Sequence, residues 1–307
     1  MTDISWIKDK ITQLVLDAPE NRLLDFGRQP IFEHPMVGIV NGDHLLFEEF
    51  RKVVSPQHLQ PRKFLCRHSP RDADLTQVSV IVWILPFAEE VRRSNRRPNR
   101  PSQLYSIARN NGGTLIYNMS ARLSEELHKR GFAAESPILT AEYDTFRMPQ
   151  FTFSSTWSER HVAYAAGLGS FGLNEALITP LGINVRIGSI ITNIPLESLL
   201  LEEENYRALC LQDGGESCGL CMERCPVGAI TSAGLDKSKC YAFRKAIRDE
   251  YLEHYRQEFQ MLPSPIPISG QRRNRYALGC ALCQCGVPCE SLNPFISPDS
   301  VAKNARY

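Results

Sequence analysis

Nine of the ten cysteines in this 307-residue chain fall between Cys210 and Cys289, and their spacing restricts what the C-terminal third can fold around. The run Cys218-Gly-Leu-Cys221-Met-Glu-Arg-Cys225-Pro226 is followed by Cys240 and then by Cys280-Ala-Leu-Cys283-Gln-Cys285-Gly-Val-Pro-Cys289. A two-residue gap lets neighbouring thiolates turn round one metal centre. A three-residue gap ending in Cys-Pro is the bacterial ferredoxin spacing, whose last cysteine crosses to a second cluster. Structural zinc also accepts Cys-x-x-Cys pairs. The Cys-Pro step, the three-residue gap and a supply of thiols beyond one tetrahedral site favour iron–sulfur, and with it one-electron transfer.

Two [4Fe–4S] clusters use eight thiolates, so two of the ten cysteines are spare. Regular spacing puts further cysteines at the positions of Gly215 and Val287; the nearest upstream thiol is Cys210, and Cys285 and Cys289 flank the second position. The assignment is Cys210, Cys218, Cys221 and Cys289 for one cluster and Cys225, Cys240, Cys280 and Cys283 for the other, with Cys66 and Cys285 spare. Whether Cys285 replaces Cys289 or Cys210 stays open at this level.

Lys and Arg number 35 against 34 Asp and Glu, so no global field draws in nucleic acid or an anionic membrane. The N-terminus carries acids and lacks a signal-peptide apolar core, and no apolar run is long enough to span a bilayer. A cytoplasmic protein with no membrane partner is expected. In a reducing compartment the cysteines read as metal ligands and not as disulfides.

Before about residue 195 there is a single cysteine, Cys66, and the pattern is mixed helix and strand. Val78-Ser-Val-Ile-Val-Trp-Ile-Leu85, apolar and rich in β-branched residues, predicts a buried strand. Leu115, Met119, Leu123 and Leu127 predict a helix over 114–130, closed by a basic turn and Gly131. Phe243, Ile247, Tyr251, Tyr255 and Phe259 predict another after Cys240, ended by the proline-rich stretch 263–267. That helix separates two cysteine groups, so the chain must fold back to bring them together. The arginines at 92, 93, 96, 97 and 100 read as a solvated loop, with RNA or phosphate binding as the second reading.

The cysteine segments, with Lys239-Cys240-Tyr-Ala-Phe243 and Tyr276-Ala-Leu-Gly-Cys280, resemble those of the epoxyqueuosine reductase and reductive dehalogenase superfamily. Ala165-Ala-Gly167-Leu-Gly169-Ser-Phe-Gly172 is similar to its glycine-rich segment near the corrinoid, and Tyr105-Ser-Ile-Ala-Arg109 to its tyrosine–arginine segment. The resemblance implies an α+β fold: a nitroreductase-related cobalamin-binding domain over 1–200, a bacterial two-[4Fe–4S] ferredoxin-like domain over 201–293, and a tail over 294–307. It implies a bound cobalamin touched by Tyr105, Arg109, Gly167, Gly169 and Gly172, and a low-potential donor such as ferredoxin or flavodoxin. The substrate is then a small molecule or a corrinoid. The alternative is an electron-transfer protein that reductively activates a corrinoid on a partner.

Departures from the family point to a paralogue with its own chemistry. The stretch Phe151-Thr-Phe-Ser-Ser-Thr-Trp157 has no counterpart of the carboxylate thought to donate a proton in epoxyqueuosine reductases, and no C-terminal helical repeats follow Cys289. tRNA is therefore not expected as a partner. No Asp-x-His-x-x-Gly stretch occurs, so a cobalamin would bind without a histidine below the metal. For protons the candidates are Glu159, His161 and Tyr164. A carboxyl beside Arg160 and His161 can be tuned toward neutrality; the competing reading is an ordinary Glu159–Arg160 ion pair at a helix start, with His161 packing. Gly167-x-Gly169-x-x-Gly172 matches a dinucleotide pattern, but after a helical alanine run it reads as close approach to a large flat ligand.

Overall fold

A computed structural model of the chain describes residues 4–149, 153–198, 205–215, 217–259 and 279–295. The stretch 263–267 and residues 276–278 of the resemblance lie outside them, as do Phe151 and Thr152 and the tail beyond residue 295. The architecture is mixed helix and sheet, centred on four antiparallel strands: β1 (Met36–Asn41), β2 (Ser79–Pro86), β3 (Ala134–Glu135) and β4 (Val185–Thr192), in the spatial order β1-β2-β4-β3. Strand β2 is the predicted one, and all eight of its residues are buried. Its apolar run is unbroken because both faces are covered. Ile81, Trp83 and Leu85 enter one core with helices α1 (Ile4–Leu16) and α5 (Gln103–Lys129), while Val80, Val82 and Ile84 enter a second. The second is closed by α2 (Leu46–Val53), α3 (Pro61–His68) and α6 (Glu159–Ala165).

Helix α5 ends where the sequence stops it but begins eleven residues earlier than predicted, capped by the Ser102 hydroxyl accepting from Tyr105 N at 3.0 Å. The added half contains Asn110-Asn111-Gly112-Gly113, poor helix formers that hide the period. Burial overrides propensity there: a Cβ on Gly112 would stand 2.5 Å from the Phe32 ring. Helix α8 (Lys237–His254) starts before Cys240, not after it, because Asp236 caps it by accepting from Ser238 N and Lys239 N at 2.9 and 3.0 Å. It ends short of Phe259, which is nonetheless buried with Ile247 and Tyr251 in the core of α1 and α5.

A third, smaller core joins Leu173, Ile178 and Ile183 to Cys210 and Ile230, with Cys221 of the short helix α7 (Leu220–Glu223), Cys225, Cys283 and Cys289 packed against it. One ion pair of the arginine run, Arg96 with Glu290, reaches this region. In and after α4 (Glu89–Ser94), Arg92 pairs with Glu33 and Arg93 with Glu90; Arg96 reaches Glu290 at 3.0 Å, and Arg100 pairs with Glu250 of α8. Four of the five arginines are thus engaged with carboxylates, which leaves little of the run for RNA. No helix among the described residues is long and apolar enough to cross a membrane.

Candidate functional site

A cavity of about 580 Å³ opens where α5, the start of α6, the first half of β4 and α8 meet the cysteine segments. Its wall includes Cys225, Cys240, Cys280 and Cys283. The wall also includes Arg109 from α5, Glu159 and Arg160 from α6, Arg186 from β4 and Arg244 from α8. Ile116, Ile138, Leu177, Val185 and Ile187 supply apolar wall.

The ten cysteines are free thiols, and their electrostatic neighbours sort them. Burial first, then Cys221, Cys210 and Cys218, push the Cys289 thiol up to about 12. Cys221 is pushed to about 11 by burial, with Cys210 and Cys218 adding. Cys280 is raised to about 11 by burial and then by Cys240 and Cys225 among others. Cys283 goes well above the ordinary thiol value, by burial and then Cys280, Cys240, Cys221 and Cys225. Crowded thiols that resist ionising together are the donor chemistry that a cationic iron–sulfur core relieves, and its binding releases their protons. Among the described residues no group of three or more His, Cys, Asp or Glu that could hold a metal ion is found. Cys66 is exposed on α3. Cys285 is fully buried in a hydrogen-bonded chain: it accepts from Asn184 Nδ2 at 2.8 Å and Asn95 Nδ2 at 3.5 Å, and Tyr105 Oη donates to Asn184 Oδ1 at 2.8 Å.

Glu159 is the carboxyl group in the cavity wall. Ser189 Oγ donates to its Oε2 at 2.6 Å and itself accepts from Trp157 Nε1 at 2.9 Å, which fixes the group from behind. Oε1 is buried without a hydrogen-bond partner. Burial pushes the carboxyl up to about 7 against the opposing effect of Ser189 and Trp157. A group held there exchanges a proton near neutral pH.

Of the other sequence candidates, Arg109 lines the cavity, with Nη1 buried and unpartnered. Tyr105 does not; its ring is buried and its hydroxyl serves Asn184. His161 bonds Ser158 Oγ through Nδ1 at 2.7 Å and packs against Phe50 and Phe171, and burial takes it down to about 3, so it stays neutral. Tyr164 packs against Phe171. The glycine segment also stands off the cavity wall. Gly169, at φ +153°, lets the backbone cross the Ile178 carbonyl, which a Cβ would meet at 2.1 Å. Close approach is what these glycines provide, but the partner is the chain itself. Arg186, Arg244 and Ser189 escaped sequence reasoning, since none belongs to a local motif.

For a corrinoid the wall offers apolar surface against a flat ring, and Gln284 Oε1 is a buried polar atom without a partner to meet its amide edge.

No protein-family model matches the chain. Over 133 residues it is 32% identical to an epoxyqueuosine reductase of Bacillus anthracis, covering 43% of this chain and 29% of that protein. Over 169 residues it is 26% identical to the epoxyqueuosine reductase of Bacillus subtilis, covering 53% and 38%. The matches thus span about a third of the length of those curated relatives. Among solved structures, a selenomethionine-labelled epoxyqueuosine reductase aligns with TM-score 0.48 and 17% identity over 83% of this chain and 61% of that one. Another is an epoxyqueuosine reductase with a tRNA-Tyr epoxyqueuosine-modified stem loop, at TM-score 0.47 and 18% identity, over 86% and 64%. In sequence, over the matched stretch, the chain is a relative of the epoxyqueuosine reductases.

Proposed function

We propose that this chain is an iron–sulfur oxidoreductase in which two [4Fe–4S] clusters deliver electrons to a corrinoid in the cavity, for reduction of a small substrate. The observation that carries the reading is the shared wall: the Cys225, Cys240, Cys280 and Cys283 group and a carboxyl held near neutrality face the same space. The names of the curated relatives, all reductases, support it. Cys210, Cys218, Cys221 and Cys289 hold the cluster farther from the cavity, where a ferredoxin or flavodoxin donates. Cys225 crosses between the two groups as its ferredoxin-type spacing implies. The N-terminal part holds the corrinoid and the segment from about residue 201 holds the clusters.

A corrinoid bound there supplies a low-potential cobalt centre. The chain supplies the rest. Gln284 meets the amide edge; Ile116, Val185 and Ile187 exclude water; Glu159 holds a proton while Ser189 fixes its Oε2. Proton delivery by a fixed acid of matched pKa contributes about 10²–10⁴-fold to a reaction that consumes one.

The test is anaerobic reconstitution followed by hydroxocobalamin and gel filtration. A brown protein with about eight irons that retains corrinoid, and shows its spectrum bleach on reduction, upholds the reading. Clusters without retained corrinoid move the assignment to an electron carrier for a corrinoid on a partner. A colourless, zinc-loaded protein defeats both.

A further inference from the structure

We infer that the cavity is built for a small organic polyanion, such as a di- or tricarboxylate or a phosphate ester. The inference deepens the reading above and rests on it only in naming that anion the substrate.

Four guanidinium groups, Arg109, Arg160, Arg186 and Arg244, come from four different elements to one cavity. They crowd one another: after burial, repulsion from Arg109 is among the causes that lower Arg160, Arg186 and Arg244, and Arg186 falls to about 9. Against them the described lining residues offer a single carboxyl, Glu159, which Ser189 binds and which keeps its proton near neutral pH. The nearby Glu175 is taken by Lys237 at 3.1 Å.

A thiolate-bound cluster carries a net charge of about −2, and Arg244, hydrogen-bonded to Cys240, answers part of it. Arg160 also feels Cys240, and it gives a hydrogen bond to the Glu175 carbonyl. The cluster charge does not account for the others. Arg109 Nη1 and Arg186 Nε are buried with no hydrogen-bond partner and, among the described residues, neither guanidinium has a carboxylate, whereas Arg93, Arg96 and Arg100 each have one and Arg92, whose Nε is likewise unpartnered, pairs with Glu33. Buried guanidinium groups are ordinarily paired, and their planar fork matches carboxylate or phosphate oxygens. Ile116, Val185 and Ile187 beside them fit an organic body of modest size.

The test uses the full, cluster-reconstituted chain, with tricarballylate and inorganic pyrophosphate as anionic probes and glycerol as the neutral one. Calorimetry at low ionic strength measures binding, and the signal of the reduced cluster is recorded with and without each probe. At least one anion should bind with Kd below about 1 mM, perturb the cluster signal, and lose affinity at least tenfold in Arg186→Gln and Arg109→Gln at unchanged iron content. Preference for tricarballylate assigns a carboxylate ligand, and preference for pyrophosphate a phosphate. Arg186→Lys keeps charge but not the fork; it serves where the glutamine variant loses iron, and is expected to bind more weakly than wild type. Binding of neither anion, glycerol binding as well as they do, or affinity unchanged in every arginine variant overturns the inference. Anion binding without corrinoid retention upholds it while removing the corrinoid, and retention without anion binding does the reverse.

Discussion

Replacing Ser189 by alanine should make Glu159 a weaker acid still. Glu159 opens helix α6, a position that favours a carboxylate, yet burial wins and pushes it up to about 7. The difference from its ordinary 4.5 corresponds to about 3 kcal/mol. The Ser189 hydroxyl works against that displacement through a 2.6 Å hydrogen bond to Oε2. Hydrogen bonds to a charged group contribute about 1.5–3 kcal/mol, so Ser189→Ala should raise the midpoint by about one to two pH units. It also leaves Trp157 Nε1 without its acceptor. The readout is the infrared band of the protonated carboxyl, followed by pH difference spectroscopy in the cluster-loaded protein and assigned by its loss in Glu159→Gln. The same group has a stability signature. Its folded-state pKa lies above the unfolded one, so the folded state binds more protons between pH 4.5 and about 7, and Glu159 lowers stability as pH rises through that window. Glu159→Gln should remove this slope. A wild-type midpoint near 4.5, or one that Ser189→Ala leaves in place, would refute the account of burial opposed by a single strong donor.

The histidines should act in the opposite sense. Burial depresses His58 to about 4 and His161 to about 3, so the folded state resists protons that the unfolded chain accepts below pH 6.5. Stability should fall on acidification below pH 6.5, by up to about 3 kcal/mol for His58 by pH 4 and about 5 kcal/mol for His161 by pH 3, and His161→Gln should reduce that loss in urea titrations read by pulse proteolysis. Cys221→Ser should lower iron content by about half after reconstitution while Cys66→Ser leaves it unchanged; equal iron in both would contradict the ligand assignment. Gly169→Ala places a Cβ 2.1 Å from the Ile178 carbonyl at φ +153°. It should destabilise by more than about 3 kcal/mol, and a thermal midpoint within a degree or two of wild type would show that the crossing is not rigid.

Local chemistry was legible in the sequence, and assembly was not. Strand β2 announces itself because two cores claim its alternate residues and leave Ser79 at its start as the one polar position, whereas the first half of α5 is written in asparagine and glycine and becomes helical only because Phe32 and its neighbours cover it. The cysteine spacing carries its meaning within a few residues, so the two groupings could be proposed before any coordinates. Arg186, inside a strand, and Arg244, inside a helix, carry no such mark, and their convergence with Arg109 and Arg160 is purely tertiary.

Glu159 shows where the boundary lies. Its neighbours Arg160 and His161 drew attention to it, and the simple alternative was an ion pair with Arg160. Adjacent helical residues do not face each other, and here they diverge: Arg160 binds the Glu175 carbonyl, His161 turns to Ser158, and Glu159 turns to Ser189 on β4. The carboxyl is therefore tuned by burial and a serine thirty residues away, not by the charges beside it in the chain. Because Arg160 does not pair with Glu159, the two side chains line the cavity separately, and the proposed proton donor and the proposed anion site arise from the same parting of two consecutive side chains.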